Sequence, residues 1–324
     1  MPPPVTGVPL IDSPSVLQWP ADNPPSLATL AEPTANRSFD FHASIDRCDM
    51  VLVSSGNYHM ALRELWFDVY LKKYVPGLKN WYYTTSPPLA PALIQSGYLS
   101  VDNLAARCRP QVVVGPASEI DALAALGAAE GPRLPLHTSR GNVILVKKGN
   151  PKAIRTVWDL GRADIRVVTP NPKTEQGTFA NYSGSIYDIA AGDPAPPKGA
   201  NARQLYNAIF NNGEIKNKWL SGSRIHHREI PWSIAHGQAD AGVIFYHLAF
   251  YLAQSFPELF EIVPLGGTVD KPQPLPGNRT ATLYATRVGG DWNAVQLNAR
   301  EKLIEAFSSE DFTQILQKYG LRRP

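Results

Sequence analysis

Four short stretches of this 324-residue chain gather small hydroxyl residues and glycine where apolar runs give way to helical ones. They are Ser54-Ser55-Gly56-Asn57, Thr84-Thr85-Ser86, Gly115-Pro116-Ala117-Ser118 and Thr174-Glu175-Gln176-Gly177-Thr178. Segments of this kind offer O–H and N–H donors that carry no net charge. At a helix amino-terminus the first N–H groups lack intrahelical partners and the peptide dipoles sum to a partial positive charge, so neutral donors placed there can hold a dehydrated anion. Ser, Thr and Gly also cap helices where no ligand binds. It is the recurrence at four junctions that points to a site.

A second chemistry would use the aromatic hydroxyls and imidazoles of Tyr58, His59, Tyr82, Tyr83, Tyr246 and His247 as ligands to a cation such as ferric ion. Of these, Tyr58, His59, Tyr246 and His247 form the candidate metal set. His226-His227 is a poor chelating pair if it lies on a strand, where adjacent side chains point to opposite faces. A His-Glu-x-x-His zinc motif, a nucleophile elbow, a Walker phosphate loop and a paired-Cys metal site are all missing from the sequence. The residues therefore argue for binding without catalysis, and no cofactor is expected.

The elements that must position these junctions alternate between strand and helix from Met50 onward, the pattern of a parallel sheet covered on both faces. Strand Met50 to Val53 leads through Ser54-Ser55-Gly56-Asn57 to a helix with Leu62, Leu65, Trp66, Val69 and Tyr70 on one face. Trp81-Tyr82-Tyr83 leads to Ser86, placed to cap a helix with Pro87 at its first position and with Leu89, Ala92 and Leu93 facing inward. Gln111 to Val114 leads to Ser118, placed as the next cap.

A second lobe opens after Pro132 with strand Asn142 to Val146. It continues with strand Ile165 to Thr169, a helix carrying Phe179, Tyr182, Ile186 and Ile189, a Pro-rich surface loop from Asp193 to Lys198, and strand Ala241 to Phe245. Strand Thr280 to Thr286 returns the chain to the first lobe, where helices over Val295 to Phe307 and Phe312 to Tyr319 close it and Gly320 stops the last one. The domains expected are an extended Pro-rich arm at 1–45, a first lobe at 46–139 plus 281–324, and a second lobe at 140–280.

Composition narrows the partners. Against 31 Lys and Arg stand 28 Asp and Glu, a net charge of +3 with no basic stripe, which excludes a phosphate-tracking nucleic-acid binder. A 44% hydrophobic content suits one large core or two moderate ones, and the apolar runs fall far short of the ~20 residues that span a bilayer. Met1-Pro2-Pro3-Pro4 shows neither a basic leader nor an apolar h-region. Two compartments stay open, periplasmic or extracellular if a leader was removed and cytoplasmic if Met1 is the native start. Cys48 and Cys108 each precede an apolar strand and are read equally as a disulfide across parallel neighbours or as two free thiols.

Several segments resemble a known family. Leu145-Val146-Lys147-Lys148-Gly149-Asn150-Pro151-Lys152, Trp158-Asp159-Leu160 and Val168-Thr169-Pro170-Asn171-Pro172-Lys173-Thr174 are similar to the central segment of sulfate-binding proteins. The stretch Gly237 to Phe245, the return Ala281 to Thr286 and the ending Phe307-Ser308-Ser309-Glu310 to Tyr319-Gly320 resemble the molybdate- and tungstate-binding proteins. The resemblance runs from about Met50 to Leu321 and implies the class II periplasmic-binding-protein fold. That fold is α/β and two-lobed. Each lobe is a mixed, mostly parallel sheet flanked by helices, and crossing strands form a hinge that closes the lobes on a ligand in the cleft.

Carried over by position, the resemblance implies ligand contacts from Ser54 or Ser55 and from Thr85 or Ser86 in the first lobe. In the second lobe it implies the backbone N–H groups of Gln176, Gly177 and Thr178, with a further backbone donor around Ile230, Pro231 and Trp232. Phe245 stands where relatives place a Tyr or Trp donor, so neighbouring Tyr246 is the candidate to replace it. Glu175 stands where sulfate binders have a small Ser, and a carboxylate beside an oxyanion is repulsive. The acid must turn to solvent or the ligand is not an oxyanion, with Arg140 as a possible charge offset.

The expected ligand is a small inorganic anion, molybdate, tungstate or sulfate, captured by a monomer with no membrane span that delivers it to an ABC-transporter permease. The alternatives are a metal-cation receptor of the same fold and an enzyme on this scaffold similar to the pyrimidine-precursor synthases of thiamine biosynthesis. Trp81 and Trp232 are expected near the cleft as fluorescent reporters.

Overall fold

A computed structural model describes residues 1–3, 49–84, 90–97, 99–101, 104–106, 109–215, 217–222 and 225–324. The proposed arm beyond its first three residues, Cys48, Cys108, Thr85, Ser86, Pro87 and Leu89 lie outside the described residues. The chain divides into two compact units, one built on Arg140–Thr280 and the other joining Ala281–Pro324 to the residues that end at Ser139. The chain thus passes between units twice, at Ser139–Arg140 and at Thr280–Ala281.

The first unit begins with β1 (Met50–Ser54), a 3-10 turn at Gly56–Tyr58, and α1 (His59–Glu64), which runs on as a π-helical stretch over Leu65–Tyr74. Then follow β2 (Trp81–Thr84), α2 (Pro91–Ser96), β3 (Leu99–Val101), β4 (Leu104–Ala106), β5 (Val112–Pro116), α3 (Ala117–Ala125) and β6 (Ala129–Thr138). The second unit carries β7 (Asn142–Lys147), β8 (Val167–Thr169), α4 (Gln176–Gly192), α5 (Ala202–Phe210), β9 (Trp219–Ser221), α6 (His226–Ala235), β10 (Ala241–Phe245), α7 (Tyr246–Ser255) and β11 (Phe260–Pro264). The chain returns through β12 (Thr282–Val288), α8 (Ala294–Phe307) and α9 (Glu310–Lys318).

Each unit holds a five-stranded mixed sheet. The order is β2-β1-β5-β12-β6 in the first, where β2, β1 and β5 are parallel and β12 runs against β5 and β6. In the second it is β11-β7-β10-β8-β9, where β10, β8 and β9 are parallel. The unbroken apolar run of β1 follows from burial on both faces. Met50 and Leu52 meet Leu62, Trp66 and Leu303, while Val51 and Val53 meet Ile94, Ile120 and Leu123.

Three local expectations change. The second helix opens at Pro91 with Ala90 as its cap residue, so a proline does stand at its first position, but a later one than Pro87; Leu93 is half-buried and Ala92 exposed. Pro116, not Ser118, is the cap residue of α3, and Ser118 lies exposed in the first turn. Pro132, after which the sequence reading opens the second lobe, lies with Pro135 inside the ten-residue β6. This strand is the sheet edge, irregularly paired with β12, where a missing N–H costs little.

Both crossings are clamped within their own units. In the first, the Ser139 N–H donates to the Ala281 carbonyl at 2.9 Å and the Ala281 N–H donates to Ser139 Oγ at 2.9 Å. In the second, the Asn142 N–H donates to Asn278 Oδ1 at 2.8 Å, and Asn278 Nδ2 donates back to the Asn142 carbonyl at 2.9 Å. Gly141 adopts φ +78° beside this clamp, and a Cβ there would lie 2.9 Å from Pro274 Cγ, so only glycine fits.

Candidate functional site

The parallel strands β8, β9 and β10 end at one edge of the second sheet, and the helices α4, α6 and α7 start there. Ligands of open α/β sheets bind at such edges. The loop after β8 is fixed by Asn171. Its Oδ1 accepts from the Lys173 N–H at 2.9 Å, its carbonyl accepts from the Glu175 N–H at 2.8 Å, and its Nδ2 donates to the Gly222 carbonyl beyond β9 at 3.2 Å. The first bond of α4 runs from the Phe179 N–H to the Glu175 carbonyl at 2.9 Å. The N–H groups of Gln176, Gly177 and Thr178 therefore have no acceptor within α4, and Glu175 makes no side-chain cap. Gln176 and Gly177 are exposed and Thr178 is half-buried.

Beside this amino-terminus, Glu175 and His226 form a pair. Glu175 Oε1 lies 2.6 Å from His226 Nδ1, and Oε2 accepts the His226 backbone N–H at 3.0 Å. The acid of one helix start thus caps the next. Tyr182 stands edge-on to His226 at 5.5 Å and to Phe245 at 4.9 Å, and its hydroxyl accepts the Phe245 N–H at 3.2 Å. Burial drives the Tyr182 phenol well above its ordinary pKa, so it stays neutral.

In the first unit β2, β1 and β5 likewise end together. Ser54 Oγ donates to Tyr58 Oη at 2.9 Å, both residues being fully buried. Ser55 is half-buried, and its N–H donates to the Val114 carbonyl at 2.9 Å, tying the junction to β5. Glu119, in the first turn of α3, brings its carboxyl over Gly115, where an added Cβ would lie 2.5 Å from Oε2. Desolvation by burial pushes Glu119 up to about 7. A cavity of about 400 Å³, lined by Asp49, Lys79, Asn80 and Asn298 among others, opens instead at the amino ends of β1 and β2. It holds none of the strand-end donors.

The second-unit edge brings Gln176, Gly177 and Thr178 together with Phe245 through Glu175, His226 and Tyr182. Other expectations are corrected. Glu175 neither faces solvent nor leans on Arg140, because His226 holds it. Arg140 is half-buried, and its charge acts on the Tyr246 phenol. Tyr246 does not replace the donor missing at Phe245, since its hydroxyl donates to the Val269 carbonyl at 2.7 Å.

Ile230, Pro231 and Trp232 sit in the middle of α6, not at its start. Ile230 packs where a Cβ on Gly242 would approach within 2.6 Å, Pro231 has no N–H, and Trp232 stacks on His236 at 4.2 Å. Trp81 starts β2, at the amino end of the strand, and packs against Trp66 and Phe67.

Of the metal set, Tyr58 and His59 fall in the first unit and Tyr246 and His247 in the second, where His247 stacks on Phe245 at 5.6 Å. Among the described residues no group of three or more His, Cys, Asp or Glu is placed to hold an ion, and no described helix is long and apolar enough to cross a membrane. His226-His227 opens a helix rather than lying on a strand. Its signal was a fifth junction, Trp219-Leu220-Ser221-Gly222, built like the other four.

The profile of the bacterial extracellular solute-binding protein family matches residues 101–322, and the chain belongs to that family. The sulfate-binding protein of Salmonella typhimurium is 33% identical over 119 residues, 35% of each chain. The thiosulfate-binding protein of Pseudomonas aeruginosa is 28% identical over 169 residues, 47% of this chain and 50% of the relative. The chain therefore spans between about a third and a half of the length of these curated relatives.

Among solved structures, the sulfate-binding protein SubI of Mycobacterium tuberculosis superposes with a TM-score of 0.59 at 15% identity, covering 86% of this chain and 87% of that one. The periplasmic molybdate-binding protein of Azotobacter vinelandii gives 0.55 at 13% identity, covering 85% and 99%. Peb3 from Campylobacter jejuni gives 0.53 at 17% identity, covering 85% and 100%. These likenesses establish the two-lobed α/β binding-protein fold.

Proposed function

We propose that this chain captures a small tetrahedral oxyanion, molybdate, tungstate or sulfate, without changing it chemically, and passes it to a membrane permease of the ABC type. The observation that carries this reading is the start of α4. There, three consecutive N–H groups, those of Gln176, Gly177 and Thr178, lack an intrahelical acceptor and a side-chain cap at the carboxyl edge of three parallel strands. Hydrogen bonds to a charged acceptor are worth roughly 1.5–3 kcal/mol each, so three of them with the helix dipole can replace a large part of an anion's hydration.

Ser54, Ser55, Thr85 and Ser86 are the first-lobe candidates for the same ligand, with Ser55 better placed than Ser54, whose hydroxyl is committed to Tyr58. Phe245 contributes a ring wall and not a donor. The relatives named for sulfate and thiosulfate and the solved molybdate binder support an oxyanion over a cation. The commitment of the Tyr58 and Tyr246 hydroxyls to Ser54 and to the Val269 carbonyl supports the same choice.

Calorimetry against sulfate, molybdate, tungstate, phosphate and ferric ion tests this. The expected result is saturable one-to-one binding of at least one tetrahedral oxyanion and none of ferric ion. Flat traces with every oxyanion beside a response to ferric ion would overturn it.

A further inference from the structure

The acid at position 175 stands at an anion-binding helix start, where its charge ought to be harmful. Its partner resolves this. An ionised carboxylate only accepts hydrogen bonds, so at the 2.6 Å contact with Glu175 the hydrogen lies on His226 Nδ1. The other ring nitrogen, Nε2, is buried in a residue only 2% exposed and has no hydrogen-bond partner among the described residues.

With a neutral imidazole the pair carries a net charge of −1 beside the first N–H groups of α4 and opposes an anion there. With an imidazolium the pair is neutral and no longer opposes an anion at the start of α4. Protonation and anion binding therefore favour each other, and by linkage they do so reciprocally.

We propose that His226, oriented by Glu175, determines which anions the second-lobe site accepts, by taking one proton from solvent onto Nε2 as a fully ionised tetrahedral dianion binds. The proposal rests on the oxyanion reading above and adds the ligand's charge class and its proton partner. Among the described residues the other ionisable neighbours are placed differently. Tyr182 on α4 faces the ring edge-on and is neutral through burial. On α6 itself, His227 lies at 5.3 Å between ring centroids, and Glu229 lays its carboxylate over Gly222. From β10 the uncharged Phe245 faces the ring at 6.4 Å, and the α7 residue His247 stacks on that phenyl ring. Among the described residues only Glu175 is bonded to the imidazole itself.

The test is calorimetry of the intact chain with sulfate and, in parallel, molybdate, from about pH 5.5 to about pH 8.5, the range in which an imidazole changes charge. Each titration is run in two buffers of different ionisation enthalpy. Sulfate keeps its full charge throughout, so any pH dependence of its binding belongs to the protein.

The proposal expects uptake of close to one proton per anion near neutral pH and an affinity that falls toward tenfold per pH unit on the alkaline side. Glu175→Gln, which keeps the shape and removes the charge, should reduce that slope to less than half and bind about tenfold more tightly than wild type at the alkaline end. His226→Gln should bind weakly with a flat profile. Anion binding without net proton uptake, or a Glu175→Gln profile as steep as wild type, would overturn the proposal and leave the oxyanion reading intact. No binding of either anion at any pH would overturn both. Where a variant does not fold, the proton uptake of the wild-type chain decides alone.

Discussion

The two strand-end edges meet the same difficulty in different ways. Under the oxyanion reading each presents neutral donors, and each carries a glutamate close by. At the first-lobe edge, Glu119 lies over Gly115 and burial raises its pKa to about 7, so below that pH the acid is quiet because it holds its own proton. At the second-lobe edge, Glu175 is hydrogen-bonded to His226 and caps the start of α6, so the acid is held by a neighbouring base and not by its own burial. The first solution costs stability whenever the carboxyl must ionise. The second costs little and leaves a titratable partner beside the donors. A carboxylate near an anion site is thus no argument against the site until its partner is known.

Four substitutions break or sharpen that contrast. Gly177→Asp places a second, unpaired carboxylate at the start of α4. A Cβ there meets nothing within 4 Å, so the fold should survive by circular dichroism, while oxyanion affinity falls by about a hundredfold or more. Glu119→Gln addresses the buried acid. The group ionises at 4.5 when solvated and at about 7 when folded. The wild-type chain should therefore lose stability as pH rises through that window and level off above it. The Gln variant should lack this loss and exceed wild type by about 2 kcal/mol at pH 8 in urea unfolding.

Tyr182→Phe removes the acceptor of the Phe245 N–H and loosens β10 from α4. Orphaning a buried N–H should cost about 1.5 kcal/mol, and the melting temperature should drop with it. Ser55→Ala, which keeps the backbone bond to Val114, should weaken anion binding only about fivefold. A loss as large as that of Gly177→Asp would move the weight of binding to the first lobe.

Much of the fold was legible because periodicity reports burial. The run Met50 to Val53 reads as a strand because both of its faces are covered, and Phe179, Tyr182, Ile186 and Ile189 read as one helical face because all four are buried on α4. What was illegible depended on distant partners. Pro132 read as the point after which the second lobe opens because only the sheet order shows that β6 is an edge, where a proline is tolerated. The stretch at Trp232 read as a donor site because only packing shows Ile230 seated against Gly242 in mid-helix.

The site divided along the same line. The donors Gln176, Gly177 and Thr178 are local to one loop and could be read from it, whereas the fate of Glu175 was decided by a residue 51 positions away. The wider π-helical winding after Leu65 also left no mark on the pattern, since Leu65, Trp66, Val69 and Tyr70 face the core in either geometry.

The central claim, that backbone amides at the start of α4 coordinate an oxyanion, is tested most directly by amide NMR of the isotope-labelled chain during titration with molybdate and with sulfate. The amide protons of Gln176, Gly177 and Thr178 should shift downfield together and saturate at one equivalent of the anion that binds. Saturable binding that leaves these three resonances in place would contradict the account.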